Sequence, residues 1–144
     1  MEAKNPEYKQ IIETGFKTAA FVNDIGITLL DCGPGWCESS IRILPRHLQQ
    51  SGVIHAGVQS TIADHTAGAA ATTLIDRSQF VLTVEFKINL LRSARGDSLL
   101  CRAQVLKPGK MITVVESDVY IVSGSNRTLV SKATATMTVL SVSK

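Results

Sequence analysis

The chain has little of what would mark several large classes of protein. Its cysteines, Cys32, Cys37 and Cys101, are odd in number, with no CxxC spacing and no histidine-rich neighbourhood. That excludes a disulfide framework and a structural zinc site, and leaves three buried or half-buried thiols. Aromatic residues make up only 5% of the chain and no dense Lys/Arg run interleaves with them, so nothing in it tracks a nucleic acid. The net charge of +3, with a pI near 8.9, suits a small phosphate-bearing ligand instead. No apolar run approaches the roughly 18 residues of a membrane span, so no membrane partner is expected. The first residues lack the apolar core of a secretory leader, and Glu2, Glu7 and Glu13 argue against an acid-poor organelle presequence; a reducing cytoplasm is the expected location. With neither an internal repeat nor a low-complexity linker, residues 1–144 are expected to form a single domain.

What is present is more specific. GVIHAGVQSTIADHTAGAAATTLI contains a long, nearly apolar, alanine-rich segment with one acid, Asp64. The pattern predicts a central helix over 57–75, apolar around most of its circumference and therefore surrounded by protein. A carboxylate in such a helix is costly unless it has partners or a task, which makes Asp64 a candidate catalytic residue. Where the chain turns into this helix, the amides of Ala56 and Gly57 have no intrahelical partners and lie at the positive end of the macrodipole, an oxyanion hole in kind.

A shorter N-terminal helix is expected over 6–16, with Asn5 as its cap and Gly15 near its end. Strands are expected at 25–31 and 36–44, joined by the turn at 32–35. Leu82, Val84, Phe86, Ile88 and Leu90 alternate with polar residues in a half-buried strand. Strands over 99–107, 111–122 and 128–142, separated by Pro108-Gly109 and the turn at 123–126, complete a meander. One antiparallel sheet of five or six strands wrapped around one long helix makes an α+β domain.

His55-Ala56-Gly57 with Asp64 nine residues after the histidine, then VEFKINLLRSARGD, a PGK turn, Glu116-Ser117 and the closing LVSKATATMTV together resemble the hotdog-fold acyl-CoA thioesterases of the phenylacetate-degradation (PaaI-type) group. The resemblance runs from about Gly26 to Leu140. Ala56 stands where the family usually has glycine, and Ser93 follows Arg92 where it usually has proline. The resemblance implies a hotdog fold and hydrolysis of a medium-chain or aryl acyl-CoA to the free acid and coenzyme A, with no metal or redox cofactor. It makes Asp64 the general base or the nucleophile, with the choice open, and Ala56 the principal oxyanion donor, with Gly57 beside it. Gln49, or Gln50 if the register slips, orients substrate or water, and Thr83 holds the reacting water. His55 fixes the loop, and His65 packs.

Arg92, Arg95, Lys107 and Lys110 flank turns at strand ends and are candidates for the coenzyme A phosphates. Trp36 and Phe80 are candidates for the acyl pocket or the core. The family's site lies between subunits, which implies a homodimer at least and a homotetramer of two such dimers. The rival reading is a non-catalytic acyl-CoA or acyl-lipid sensor on the same fold. A hotdog dehydratase is disfavoured by the spacing of His55 and Asp64.

Overall fold

The computed structural model describes residues 1–142; Ser143 and Lys144, the end of the expected 1–144 domain, lie outside the described residues. The order is α1 (Tyr8–Thr18), α2 (Ala20–Ile25), β1 (Ile27–Gly33), β2 (Trp36–Arg42), a 3-10 turn at Pro45–His47, α3 (Ala56–Thr72), β3 (Gln79–Leu90), β4 (Ser98–Lys107), β5 (Ile112–Ser123) and β6 (Asn126–Ser141). The six strands form one antiparallel sheet in the order β1-β2-β4-β5-β6-β3. β4, β5 and β6 make the expected meander, whereas β3 crosses to the far edge beside β6.

The central helix lies against all six strands. Its alanines are the reason it fits: Ala63, Ala67 and Ala70 have no exposed surface, and their methyl groups let the helix settle close to the sheet. Ile27, Ile41, Ile62, Leu99 and Met137 fill the remaining space and are all but fully buried. Each such burial contributes about 1.5–3 kcal/mol. Polar rungs cross the same interface. Thr66 and Ser39 hydroxyls meet at 2.6 Å, and Ser117 Oγ donates to the Ala63 carbonyl at 2.9 Å. The Gly35 amide donates to Thr73 Oγ1 at 2.8 Å. Each places a buried hydroxyl or amide against a partner, which avoids the cost of an orphan. Among the described residues no helix is long and apolar enough to cross a membrane.

The structure differs from the sequence reading at four elements. The first helix runs over Tyr8–Thr18, because Asn5 Oδ1 accepts the Glu7 amide at 3.0 Å and so holds the turn before the helix. Gly15 lies inside that helix. The second helix, Ala20–Ile25, stands where no element was expected and takes Ile25 from the expected strand, since Val22 extends the buried face of Ile12 and Phe16; Gly26, at φ 91°, ends it and delays β1 to Ile27. The long helix stops at Thr72, and residues 73–75 continue only as tightened turns, with Leu74 bonded to the Ala71 carbonyl at 3.1 Å.

The fourth difference bears on the site. β3 carries a β-bulge at Val84, between Thr83, which pairs with Met137, and Glu85, which pairs with Thr136. The bulge shifts the alternation by one residue. Thr83 therefore shares the helix-facing side with Phe86 and Ile88, whose partners Ala135 and Ala133 are buried, while Leu82 and Val84 point the other way. Nor is the strand half-buried in this chain: Leu82, Val84 and Leu90 are each more than half exposed.

Candidate active site

Asp64 sits halfway along α3, half-buried, and its carboxylate Oδ1 accepts the Thr83 hydroxyl at 2.8 Å. Thr83 also lies 3.3 Å from Met137 Sδ, so β6 and α3 together fix its rotamer. Strict alternation would set Thr83 on the face opposite Phe86; the bulge instead brings it to Asp64 of its own chain. These two residues lie at the edge of a cavity of about 320 Å³ between α1, α3 and β3, whose lining includes Ile12, Phe16, Gly68 and Val81. Trp36 and Phe80 do not line it. Trp36 lies under the Arg102 guanidinium, 5.3 Å from the ring centroid, and Phe80 is 41% exposed.

His65, on the same cavity, packs edge-on against Phe16 with ring centroids 4.5 Å apart. Its Nε2 is buried without a partner among the described residues. Burial pushes the imidazole below its ordinary 6.5, against a smaller opposite pull from the Asp64 carboxylate. Gly68 interrupts α3 one turn beyond Asp64, at a cost of about 1 kcal/mol relative to alanine.

The start of α3 forms a second locus. His55 is the N-cap, and its Nδ1 accepts the Gly57 amide at 2.8 Å. Gly57 is thereby removed as an oxyanion donor, contrary to expectation, and Nδ1 must be the unprotonated ring nitrogen. Val58 N–H donates to the His55 carbonyl at 3.0 Å. This leaves the Ala56 amide as the first-turn donor without a partner among the described residues. Ala56 borders a cavity of about 330 Å³ with Gln49, Gln59, Arg92 and Ser93. Gln49, not Gln50, reaches this cavity; its Nε2 donates to Ser51 Oγ at 2.7 Å.

The four basic candidates separate. Arg92 lines the second cavity and donates from one Nη to the Leu129 carbonyl at 2.9 Å. Arg95 donates to the Gly52 and Ser51 carbonyls, both at 2.9 Å, so its guanidinium clamps the Gln49 turn and is not a free phosphate ligand. Lys110 lines a cleft with Leu74 and Ile75 at the other end of α3, and Lys107 belongs to the same hairpin. A 17-residue helix spans about 25 Å, so within one chain the arginines and lysines cannot hold one nucleotide.

Two contributors escaped the sequence reading. His47 is 3% exposed; its Nδ1 accepts the Leu44 amide, its Nε2 meets the Ile25 carbonyl at 2.8 Å, and its own carbonyl accepts the His55 amide. It ties the loop before α3 to the end of α2. Gln59 is 4% exposed below the Ala56 turn, with Oε1 unpartnered and Nε2 only 3.4 Å from the Ile54 carbonyl. Its signal in the sequence is a long amide side chain within a segment of mainly small and apolar residues. Among the described residues no group of three or more His, Cys, Asp or Glu side chains is placed to hold a metal. All three cysteines are free and buried, and burial pushes their thiols up, Cys101 to about 12, so none is a ready nucleophile.

The fold recurs among known proteins. The crystal structure of a thioesterase family protein from Silicibacter pomeroyi superimposes with a TM-score of 0.91 at 33% identity, over 93% of this chain and 98% of that one. A phenylacetic acid degradation-related protein of Ralstonia eutropha, described as a thioesterase, shares the fold with a TM-score of 0.78 at 19% identity, over 91% of this chain and 98% of that one. Human acyl-coenzyme A thioesterase 13 is 24% identical over 120 residues, 82% of this chain and 85% of the human protein. The sequence profile of the Thioesterase superfamily matches residues 51–126, from the turn after Gln49 through α3 and β3 to the start of β6. The chain is a hotdog-fold thioester hydrolase and belongs to the Thioesterase superfamily.

Proposed function

We propose that the protein hydrolyses an acyl-CoA with a medium-chain or aryl acyl group to the free acid and coenzyme A. The observation that carries this reading is Asp64, oriented by Thr83 at the edge of an apolar cavity of about 320 Å³. That is roughly twice the ~150 Å³ that admits a benzene ring. As a general base, Asp64 takes a proton from water, whose oxygen attacks the thioester carbonyl carbon. The Ala56 amide donates to the resulting oxyanion, which collapses with release of the coenzyme A thiolate. As a nucleophile, the carboxylate attacks the carbonyl carbon and expels the coenzyme A thiolate, and water then opens the resulting acyl anhydride to the free acid and the Asp64 carboxylate. Neither route needs a group beyond the chain's own residues.

The two loci must come from different copies. Asp64 and Ala56 are eight residues apart on one helix, about 12 Å along its axis, whereas base and oxyanion donor must each lie about 3 Å from a reacting atom. An edge strand of 12 residues with Leu82, Val84 and Leu90 exposed is the surface on which a second copy fits, giving a homodimer as the least active unit and a homotetramer of such dimers. Gln49 positions substrate beside Ala56, and Arg92, with its remaining donors, contacts a coenzyme A phosphate. Three free thiols suit a reducing cytoplasm.

The test is release of free thiol across an acyl-CoA panel. Wild type is expected to turn over medium-chain or aryl substrates, and Asp64→Asn to lose about 10² to 10⁴ in rate while still folding and binding substrate. Near wild-type turnover by Asp64→Asn would move the chemistry elsewhere.

A further inference from the structure

We infer that Gly15, Gly68 and Phe16 set the acyl-chain length this protein accepts: the two glycines keep the middle of the Asp64 cavity open, and the Phe16 ring walls it off from a second cavity. The inference rests on the acyl-CoA hydrolase reading above.

Glycine is a poor choice inside a helix, yet Gly15 lies inside α1 and Gly68 inside α3. Neither has a positive φ, so backbone conformation does not require glycine. Close packing does not require it either, because a Cβ built at either position meets no atom within 4 Å. What the two share is the cavity, which both line from opposite helices. Gly33, Gly96 and Gly109 behave differently, since a Cβ on each would fall within 3 Å of a neighbouring atom. Gly15 is exposed and Gly68 half-buried, and at both positions the absent side chain leaves room in the cavity.

The direction of that room follows from helical spacing. Asp64, Gly68 and Thr72 line the cavity at i, i+4 and i+8, one row along α3. An acyl group whose carbonyl is at Asp64 runs along this row and passes Gly68 before reaching Thr72. Phe16 borders both this cavity and another of about 390 Å³, lined by Ile27, Leu29 and Leu30 among others. It is the one residue common to the two linings, and it is held in place edge-on to His65.

Opposite changes in length preference test this. Thiol release is measured from acetyl- to dodecanoyl-CoA for wild type, Gly68→Ala, Gly68→Val, Gly15→Val and Phe16→Leu. The glycine variants are expected to lose kcat/KM increasingly with chain length, by about tenfold or more at the longest chain that wild type accepts, and least for acetyl-CoA. Gly68→Ala should do so with an unchanged or higher Tm. Phe16→Leu should extend activity to chains longer than wild type accepts. Affinities of non-hydrolysable S-alkyl-CoA thioethers, read by calorimetry, should shift in the same directions.

A loss uniform across chain lengths in Gly68→Val and Gly15→Val, in turnover and in thioether affinity, overturns the inference, as does an unaltered length profile in all three positions. Should Phe16→Leu fail to fold, the glycine variants and the thioether series still decide. Wild type that binds the thioethers with these length limits but releases no thiol would defeat the hydrolase reading and leave the cavity assignment standing.

Discussion

Asp64 and His65 are consecutive residues with opposite demands. The carboxylate reaches the Thr83 hydroxyl at the edge of the cavity, whereas the imidazole is packed against Phe16 with one nitrogen unpartnered. Burial lowers the His65 pKa, so the unfolded chain takes up a proton there more readily than the folded one. The stabilisation is complete above the ordinary value of 6.5 and is lost as pH falls from there through the lower folded value. We expect urea midpoints measured between about pH 8 and pH 5 to fall more steeply for wild type than for His65→Leu, which has no proton to take up. Parallel curves would show that His65 is not the group responsible.

At the scale of elements, the segment that follows β3 combines two arginines with different tasks. Arg95 joins it to the Ser51–Gly52 turn, and Ile54 N–H donates to the Ala94 carbonyl at 2.9 Å, so the Gln49 loop is built against this segment. Arg95→Ala should lower kcat/KM on acyl-CoA and on a truncated acyl-pantetheine alike, by up to about 100-fold if the loop moves by an ångström. Arg92→Ala should raise KM several-fold on acyl-CoA only, because the truncated substrate carries no nucleotide phosphates. A penalty for Arg95→Ala confined to acyl-CoA would restore it as a phosphate ligand.

The elements also show what a sequence discloses. The alanine-rich run with its one acid located α3 and put Asp64 on it, because an all-round apolar helix has few places to go, and alternation marked β3 as a strand. The bulge at Val84 left no such trace. It depends on how β3 and β6 pair, and with it went the position of Thr83. The competition for the Gly57 amide was equally hidden, since it depends on the rotamer of His55. α2 was missed because six residues are too few for a helical period to stand out.

The whole molecule presents two loci that one chain holds about 12 Å apart on α3. Mixing tests whether two copies combine them. Ala56→Pro removes the candidate oxyanion donor with little harm to the helix, because proline is favoured at the first helical position and His55, at φ −59° and ψ 139°, already has the conformation that precedes it. Asp64→Asn and Ala56→Pro should each be nearly inactive alone and recover activity when unfolded and refolded together, since a hybrid dimer rebuilds one site of two. No recovery, or an active monomer in sedimentation, would refute the shared site. The eight-residue spacing on α3 then has a kinetic consequence. If two copies share the site, rate becomes a quadratic function of concentration below the dimer dissociation constant, so dilution would silence the enzyme without unfolding it.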